Sequence, residues 1–265
     1  MVQVPDPGSK ESTLERGTML HSNAQNFDSV ADAYERGRPD YPVEAVNIIV
    51  QALGIRPESA VLDLAAGTGK FTRLLVPTRA HIIAVEPVNG MRTMLAKLVP
   101  DIEIWQGTAE SIPIPDTSVD AVTVAQAFHW FQPEEATVEI HRVLRPEGGL
   151  ALIWNRRNLN QPLQQAIDDI VTPYRGTPRT NDSLRWREGF DRTTLFTPLQ
   201  EHSVPHSQNI DTLGLIDRVL SFSYMAKLPE SDKEVVRERI RFLTSKLSDR
   251  FELMYTTSVF YCYSR

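Results

Sequence analysis

The stretch Val61-Leu-Asp-Leu-Ala-Ala-Gly-Thr-Gly-Lys-Phe-Thr72 sets one carboxylate, Asp63, within an apolar run and two glycines, Gly67 and Gly69, in the turn that follows. A strand, a glycine turn and a helix in this order suit a ligand that must approach backbone N–H groups closely. A dinucleotide fingerprint needs a third glycine where Thr72 stands, and a P-loop needs glycine at Leu64 and a hydroxyl where Phe71 stands. Both phosphate readings weaken together, which leaves a nucleoside without phosphate. Glu86 closes the next apolar run, seventeen residues after Gly69. A carboxylate there can accept from both hydroxyls of a ribose. Asp63 would accept from an ammonium group or order the turn, the blander reading being a helix cap. Two carboxylates flanking a glycine turn suit a cationic ligand.

A second group of chemistry-bearing residues follows the apolar run 119–125: Gln126, Phe128, His129, Trp130 and Phe131. Open α/β sheets bind ligands at the carboxyl ends of their strands, and aromatic faces there can hold a cation by cation–π attraction worth about 0.5–2 kcal/mol. The competing expectation is that at least two of these aromatics are core. His129 is the candidate general base. Arg156 and Arg157 follow the fifth apolar run, as a solvated pair or as a clamp on a substrate carboxylate. His141 reads as structural or exposed. No Cys/His cluster has metal-ligand spacing, so no metal is expected; His202 and His206 are separated by Val204-Pro205, which breaks any helix that could align them.

Positioning such residues takes alternating strands and helices. The pattern predicts helices near 43–53, 69–76, 88–98 and 133–144, and strands at 59–64, 81–85, 102–106, 119–125 and 148–154. It continues with a helix near 162–173, a loose stretch over 174–197, a strand near 199–206, helices at 211–222 and 230–247, and a long strand at 251–263. In helix 230–247, Val236, Ile240, Leu243 and Leu247 make one apolar stripe. The expected fold is α/β: a Rossmann-like, seven-stranded, mostly parallel sheet with helices on both faces and an antiparallel last strand. Residues 1–25 read as a flexible N-terminal arm and 26–265 as a single domain. Residues 27–42 and 156–226 would cover the pocket, the latter as an insertion at the sheet's edge.

Composition narrows the partners. The chain has 265 residues, 41% of them apolar, one cysteine and a net charge of −6. Broad electrostatic binding to nucleic acid needs a basic face, and no apolar run approaches the length of a membrane span, so neither partner is expected. Cys262, within Phe260-Tyr-Cys-Tyr263, reads as a core thiol, and a reducing cytoplasm is the expected compartment.

Five segments occur in order across about 55–155: Asp63-Leu-Ala-Ala-Gly-Thr-Gly69, Ala84-Val-Glu-Pro87, Gly107-Thr-Ala-Glu110 with Ile112-Pro-Ile-Pro-Asp116, Gln126-Ala-Phe-His-Trp-Phe131, and Leu144-Arg-Pro-Glu-Gly-Gly149. Together they resemble the class I S-adenosylmethionine-dependent methyltransferases, in particular the type 11-like small-molecule group with a Tyr-x-x-x-Arg-Pro-x-Tyr-Pro-like opening segment. The resemblance implies S-adenosyl-L-methionine as cofactor and S-adenosyl-L-homocysteine as product. It places Ala65, Gly67 and Gly69 beside the methionine part and Glu86 on the ribose. Pro87 and Met91 would pack on the adenine, with Thr108, Ala109 and Glu110 at its edge. Gln126 and Phe128 would border the methyl. Tyr34 and Arg38 would belong to a lid, and Trp130, Arg156 and Arg157 would meet the acceptor, a small molecule with a carboxylate. Two departures stand out. Ala65 replaces a frequent glycine, which is harmless only at negative φ, and Thr108 replaces a frequent aspartate. The rival expectation is a protein of this fold that binds the cofactor but performs another reaction or only senses it. A nicotinamide-dependent oxidoreductase is disfavoured by Thr72.

Overall fold

The computed structural model describes residues 31–175 and 182–265. The expected arm, residues 27–30 of the expected lid and residues 176–181 lie outside the described residues. Seven strands form one sheet: β1 (Ala60–Leu64), β2 (His81–Val85), β3 (Glu103–Trp105), β4 (Val119–Ala125), β5 (Leu144–Arg157), β6 (Gln200–Ile210) and β7 (Phe251–Tyr263). Their spatial order is β3-β2-β1-β4-β5-β7-β6, with the first five strands paired in parallel and β7 antiparallel to both β5 and β6. The expected architecture, including its antiparallel last strand, is therefore present.

The inner strands read as unbroken apolar runs because both faces are buried. Leu62, Leu64, Val122, Val124, Leu150 and Leu152 face one core, shared with α5 (Pro133–Val143) and α7 (Asp182–Arg192). Val61, Ala121, Ala151 and Ile153 face the other, under α2 (Val43–Ala52) and α3 (Thr72–Leu75). Cys262 is fully buried on β7, and burial pushes its thiol up to about 12, as a core thiol requires. Pro133 opens α5 with Glu134 and Glu135 in its first turn, where they complement the helix dipole.

Several expected boundaries move. The stretch expected to be loose contains α7, whose Trp186 and Phe190, four residues apart, insert among Phe128, Trp154 and Phe260. The helix was hidden because most of its other residues are polar and its packing depends on Gly189, where a Cβ would lie 2.5 Å from Pro133. Strand β5 starts at Leu144 and runs to Arg157, so Arg156 and Arg157 lie within it rather than after it. Strand β6 extends to Ile210, with Pro205 tolerated because this strand is the sheet's edge. Leu247 lies beyond α9 (Glu230–Thr244) and is exposed, so the apolar stripe is shorter than the pattern implies.

The covering region has a cluster of its own. Ile167 and Val171 of α6 (Pro162–Val171), Leu215 and Val219 of α8 (Thr212–Leu220), and Val236 and Ile240 of α9 pack on Leu253 and Tyr255 of β7. This bundle stands beside the carboxyl end of β5. Helix α1 (Ala31–Gly37) bridges it to α4 (Asn89–Leu98), where Ala31 and Tyr34 meet Val88 and Met91.

Candidate active site

The carboxyl ends of β1, β2 and β4 meet at the glycine turn. Asp63 is fully buried, and its carboxylate accepts from the hydroxyls of Thr72 (2.5 Å) and Thr123 (2.9 Å). Thr72, which fails the dinucleotide pattern, thus ties the helix back to the strand. Asp63 orders the turn through hydroxyls rather than by capping backbone N–H groups. Burial pushes its carboxyl up to about 6, against the lowering effect of those two hydroxyls.

Glu86 takes a different arrangement. Its Oε2 accepts from the Gly67 N–H (2.9 Å) and its Oε1 from the Val88 N–H (2.8 Å), so one side chain joins the turn after β1 to the loop after β2. It is 4% exposed, and burial lifts its carboxyl to about 7 although both backbone bonds pull it down. Each oxygen keeps a further lone pair for another donor. Arg92 holds the same loop from below by donating to the carbonyls of Glu86 (2.9 Å) and Pro87 (2.6 Å).

The two glycines of the turn do different work. Gly67 has φ +60 and nothing within 4 Å of where a Cβ would lie, so it leaves open space beside the turn. Gly69 has φ +88, and a Cβ there would lie 2.5 Å from Leu95 of α4. The close-packing glycine expected at Thr72 is therefore supplied by Gly69, while Gly67 keeps the open side. Ala65 has φ +56, the sign at which its methyl is costly, and Gln126 at the end of β4 has φ +59. Strained backbone of this kind gathers at ligand sites.

Around the turn, Met91 and Ala109 are buried and Pro87 is half-buried. Thr108 is half-buried with a hydroxyl oxygen that is fully buried and has no hydrogen-bond partner among the described residues. Glu110 is committed elsewhere: it accepts from the N–H of Gln132, the residue that caps α5 (2.9 Å). The expectation for the adenine edge thereby moves from Glu110 to Thr108. Phe128 is fully buried among Phe131, Trp186 and Phe190, so its ring packs the core instead of bordering a ligand.

His129 is exposed and Trp130 half-buried, with ring centroids 4.7 Å apart. The Trp154 indole N–H reaches His129 Nδ1 at 3.5 Å. In the neutral tautomer that accepts this bond, Nε2 carries the proton and Nδ1 is occupied.

Helix α1 lies over these strand ends. Glu35 accepts from the Thr68 hydroxyl (2.6 Å) and pairs with Arg73 (2.8 Å). The Asp40 carbonyl accepts from Asn155 at the end of β5 (3.0 Å). Arg38 donates to the hydroxyl and carbonyl of Ser221 (2.9 Å each) and stacks over Tyr34 at 4.9 Å. Gly37 permits the crossing, since a Cβ there would lie 2.3 Å from the backbone of Arg218.

Arg156 and Arg157 do not form one fork. They pair with Thr256 and Tyr255 of β7 in register, and consecutive strand residues point to opposite faces. Arg156 is exposed, over Phe260 at 5.9 Å, whereas Arg157 pairs with Asp168 at 2.6 Å. Sequence reasoning missed Thr72 and Thr123 as partners of Asp63, Glu35 and Asn155 as ties to α1, and Arg218. Only Arg218 left a signal: a charged residue on the apolar face of α8, between Leu215 and Phe222.

This sheet order, with a glycine turn and a carboxylate bridge at the strand ends, is that of a Rossmann-like α/β fold. Residues 62–152 match the family model described as a methyltransferase domain. An uncharacterized methyltransferase of Mycobacterium tuberculosis is 40% identical over 221 residues, covering 82% of this chain and 85% of that protein. An uncharacterized methyltransferase-like protein of Schizosaccharomyces pombe is 37% identical over 237 residues, covering 87% and 92%. Among solved structures, a phosphoethanolamine N-methyltransferase 2 of Haemonchus contortus, in complex with phosphomonomethylethanolamine and S-adenosylhomocysteine, superposes with a TM-score of 0.53 at 12% identity, over 92% of this chain and 60% of that one. The chain belongs to the S-adenosylmethionine-dependent methyltransferases.

Proposed function

We propose that the chain holds S-adenosylmethionine across the glycine turn and passes its methyl group to a small-molecule acceptor. The observation that carries this reading is Glu86, a buried carboxylate fixed by two backbone N–H groups and still able to accept from two ribose hydroxyls. The open space at Gly67 and the unpartnered Thr108 hydroxyl fit a nucleoside laid along the same edge, with Met91 and Pro87 against its base. When bound, the cofactor supplies a methyl group on a sulfonium, transferred by direct displacement.

The protein's own part is placement and exclusion of water. Asp63 fixes the turn, Glu86 orients the sugar, and α1 with Tyr34, Arg38 and Asp40 closes over the strand ends as a lid. Gln126, His129 and Trp130 border the space where the acceptor meets the methyl, with His129 as donor. The expectation of an acceptor carboxylate passes to Arg157 alone. Among the described residues no helix is long and apolar enough to cross a membrane. The buried reduced thiol of Cys262 suits a cytoplasmic protein.

The test is titration of the purified chain with S-adenosylhomocysteine, followed by a methyl-transfer screen using isotopically labelled cofactor. Binding with transfer supports the proposal, binding without transfer to any acceptor supports a sensor, and absence of binding rejects both.

A further inference from the structure

Four buried side-chain polar atoms lack a hydrogen-bond partner among the described residues: Thr108 Oγ1, Arg157 Nη1, His206 Nε2 and Arg218 Nη1. The last three gather around one residue, Tyr255. Arg157 is its register partner on β5 and His206 its register partner on β6, so the three stand in a row across the sheet. Arg218 reaches over from α8, its guanidinium 6.0 Å from the Tyr255 ring centroid and its Nε 3.4 Å from the Tyr255 hydroxyl. That hydroxyl donates onward to Gln208 (3.2 Å), whose amide donates to the Gly37 carbonyl (3.0 Å), so the row is tied to the lid.

The charges there are unbalanced. Arg38, Arg157 and Arg218 all lie over the ring of Phe222, at 5.3, 5.6 and 4.8 Å. Among the described residues Arg38 donates to neutral groups of Ser221, and Arg218 Nε reaches the Tyr255 hydroxyl by a long bond. Among the described residues the carboxylate that pairs with this cluster, Asp168, is shared by Arg157 and Arg175. Burial and the neighbouring Arg218 lower Arg38 to about 10. Guanidiniums gathered this way, with N–H groups buried and unpartnered, mark the place of a missing anion, because burying such donors without one is costly.

The geometry points to an oxyanion subsite at Arg157 and Arg218, beside Tyr255 and under the lid, that takes the carboxylate or phosphate of the methyl acceptor. It rests on the reading that a small acceptor meets the methyl below α1. Arg38 links the two places, since α1 reaches the glycine turn through Glu35 and the arginine cluster one turn later. His206 adds a further polar group to the row: its buried Nε2 has no partner among the described residues and can bond a hydroxyl beside the anion.

The experiment is calorimetry on the full chain with succinate, inorganic phosphate and the neutral succinamide, each with and without S-adenosylhomocysteine. One of the two anions binds and succinamide does not; which anion binds separates a carboxylate acceptor from a phosphorylated one. Arg218→Met weakens that anion by at least about 30-fold while leaving S-adenosylhomocysteine affinity unchanged. The same variant raises the Tm of the free protein, because it removes a buried cation that has no counter-ion. Arg218→Lys keeps the charge without the fork and weakens the anion less than Met does. The subsite is overturned if neither anion binds at millimolar concentration, if succinamide binds as well as succinate, or if Arg218→Met binds the anion like the wild type. Anion binding without S-adenosylhomocysteine binding would keep the subsite and reject the cofactor reading instead.

Discussion

The two halves of the site treat buried charge in opposite ways. At the glycine turn, Asp63 and Glu86 are buried carboxylates, and each of their four oxygens already has an O–H or N–H donor. At the β5–β7 end, Arg157 and Arg218 carry guanidinium nitrogens with no partner among the described residues. The first half has both carboxylates satisfied before a ligand arrives, with the Thr108 hydroxyl left open. The second holds N–H groups whose desolvation, at about 1–3 kcal/mol for each unsatisfied group, no hydrogen bond among the described residues offsets. A half that serves the same cofactor in every turnover can be satisfied in advance, whereas a half that selects an acceptor gains discrimination by leaving its donors open until the right anion arrives.

The largest expected effect breaks the carboxylate half. Glu86→Ala removes an acceptor for two ribose hydroxyls, each bond to a charged group being worth about 1.5–3 kcal/mol, so S-adenosylhomocysteine binding should weaken by about 3–6 kcal/mol. Glu86→Gln, which keeps one carbonyl acceptor, should lose less. Calorimetry decides it, and unchanged affinity in Glu86→Ala would remove this carboxylate from the ribose.

Next in size is a stability difference that contrasts the halves directly. Asp63→Ala strands the hydroxyls of Thr72 and Thr123 in the core and should lower unfolding free energy by about 2–4 kcal/mol in urea denaturation. Removal of charge from the arginine half should move stability the other way. If Asp63→Ala and Arg218→Met shift stability in the same direction, the contrast between satisfied and unsatisfied charge fails.

The third effect comes from pH. Burial raises Glu86 to about 7 and Asp63 to about 6, both above their unfolded values. The folded state therefore holds protons that the unfolded chain releases, so this contribution to stability is fully present below about pH 4. It is lost as pH rises through about 6 and 7, each tenfold difference in proton affinity between the folded and unfolded chain being worth about 1.4 kcal/mol. Ligand binding runs the opposite way. The ribose needs ionised Glu86, so S-adenosylhomocysteine affinity should climb about tenfold per pH unit below 7 and then level off. Carboxyls held below their usual range, such as Glu139 and Asp168, act in the opposite sense but in a more acidic window. Glu86→Gln should flatten the binding profile, and a wild-type affinity that does not change between pH 5.5 and 8 would contradict the assignment.

Legibility in the sequence follows the same division. Strand β1, the turn and Glu86 lie within a short span, and each depends on local rules: an apolar run, glycines where φ is positive, a carboxylate at a strand end. The acceptor half joins residues 38, 157, 206, 218 and 255, which only strand pairing and the crossing of α1 over α8 bring together. The adjacency of Arg156 and Arg157 suggested a fork that the pleat of β5 forbids. Helix α7 was invisible for a related reason: two aromatics and a glycine carry its packing, and most of the rest of it is polar.

The smallest expected effect concerns Ala65, whose φ is positive. Its φ of +56 sets the methyl against its own backbone, a strain of about 1–2 kcal/mol for a non-glycine residue. Glycine would relieve that strain but would make the unfolded chain more flexible, which costs about 0.4–1 kcal/mol. The balance predicts that Ala65→Gly stabilises the protein by about 0.5–1 kcal/mol, raising Tm by a few degrees at most. Ala65→Val should do the reverse, since a branched Cβ tolerates this region least. If Ala65→Gly lowers Tm instead, the methyl contributes more through its contact with the core around Leu64 and Val85 than it costs in backbone strain. The turn would then owe its shape to packing as well as to the bonds of Asp63 and Glu86.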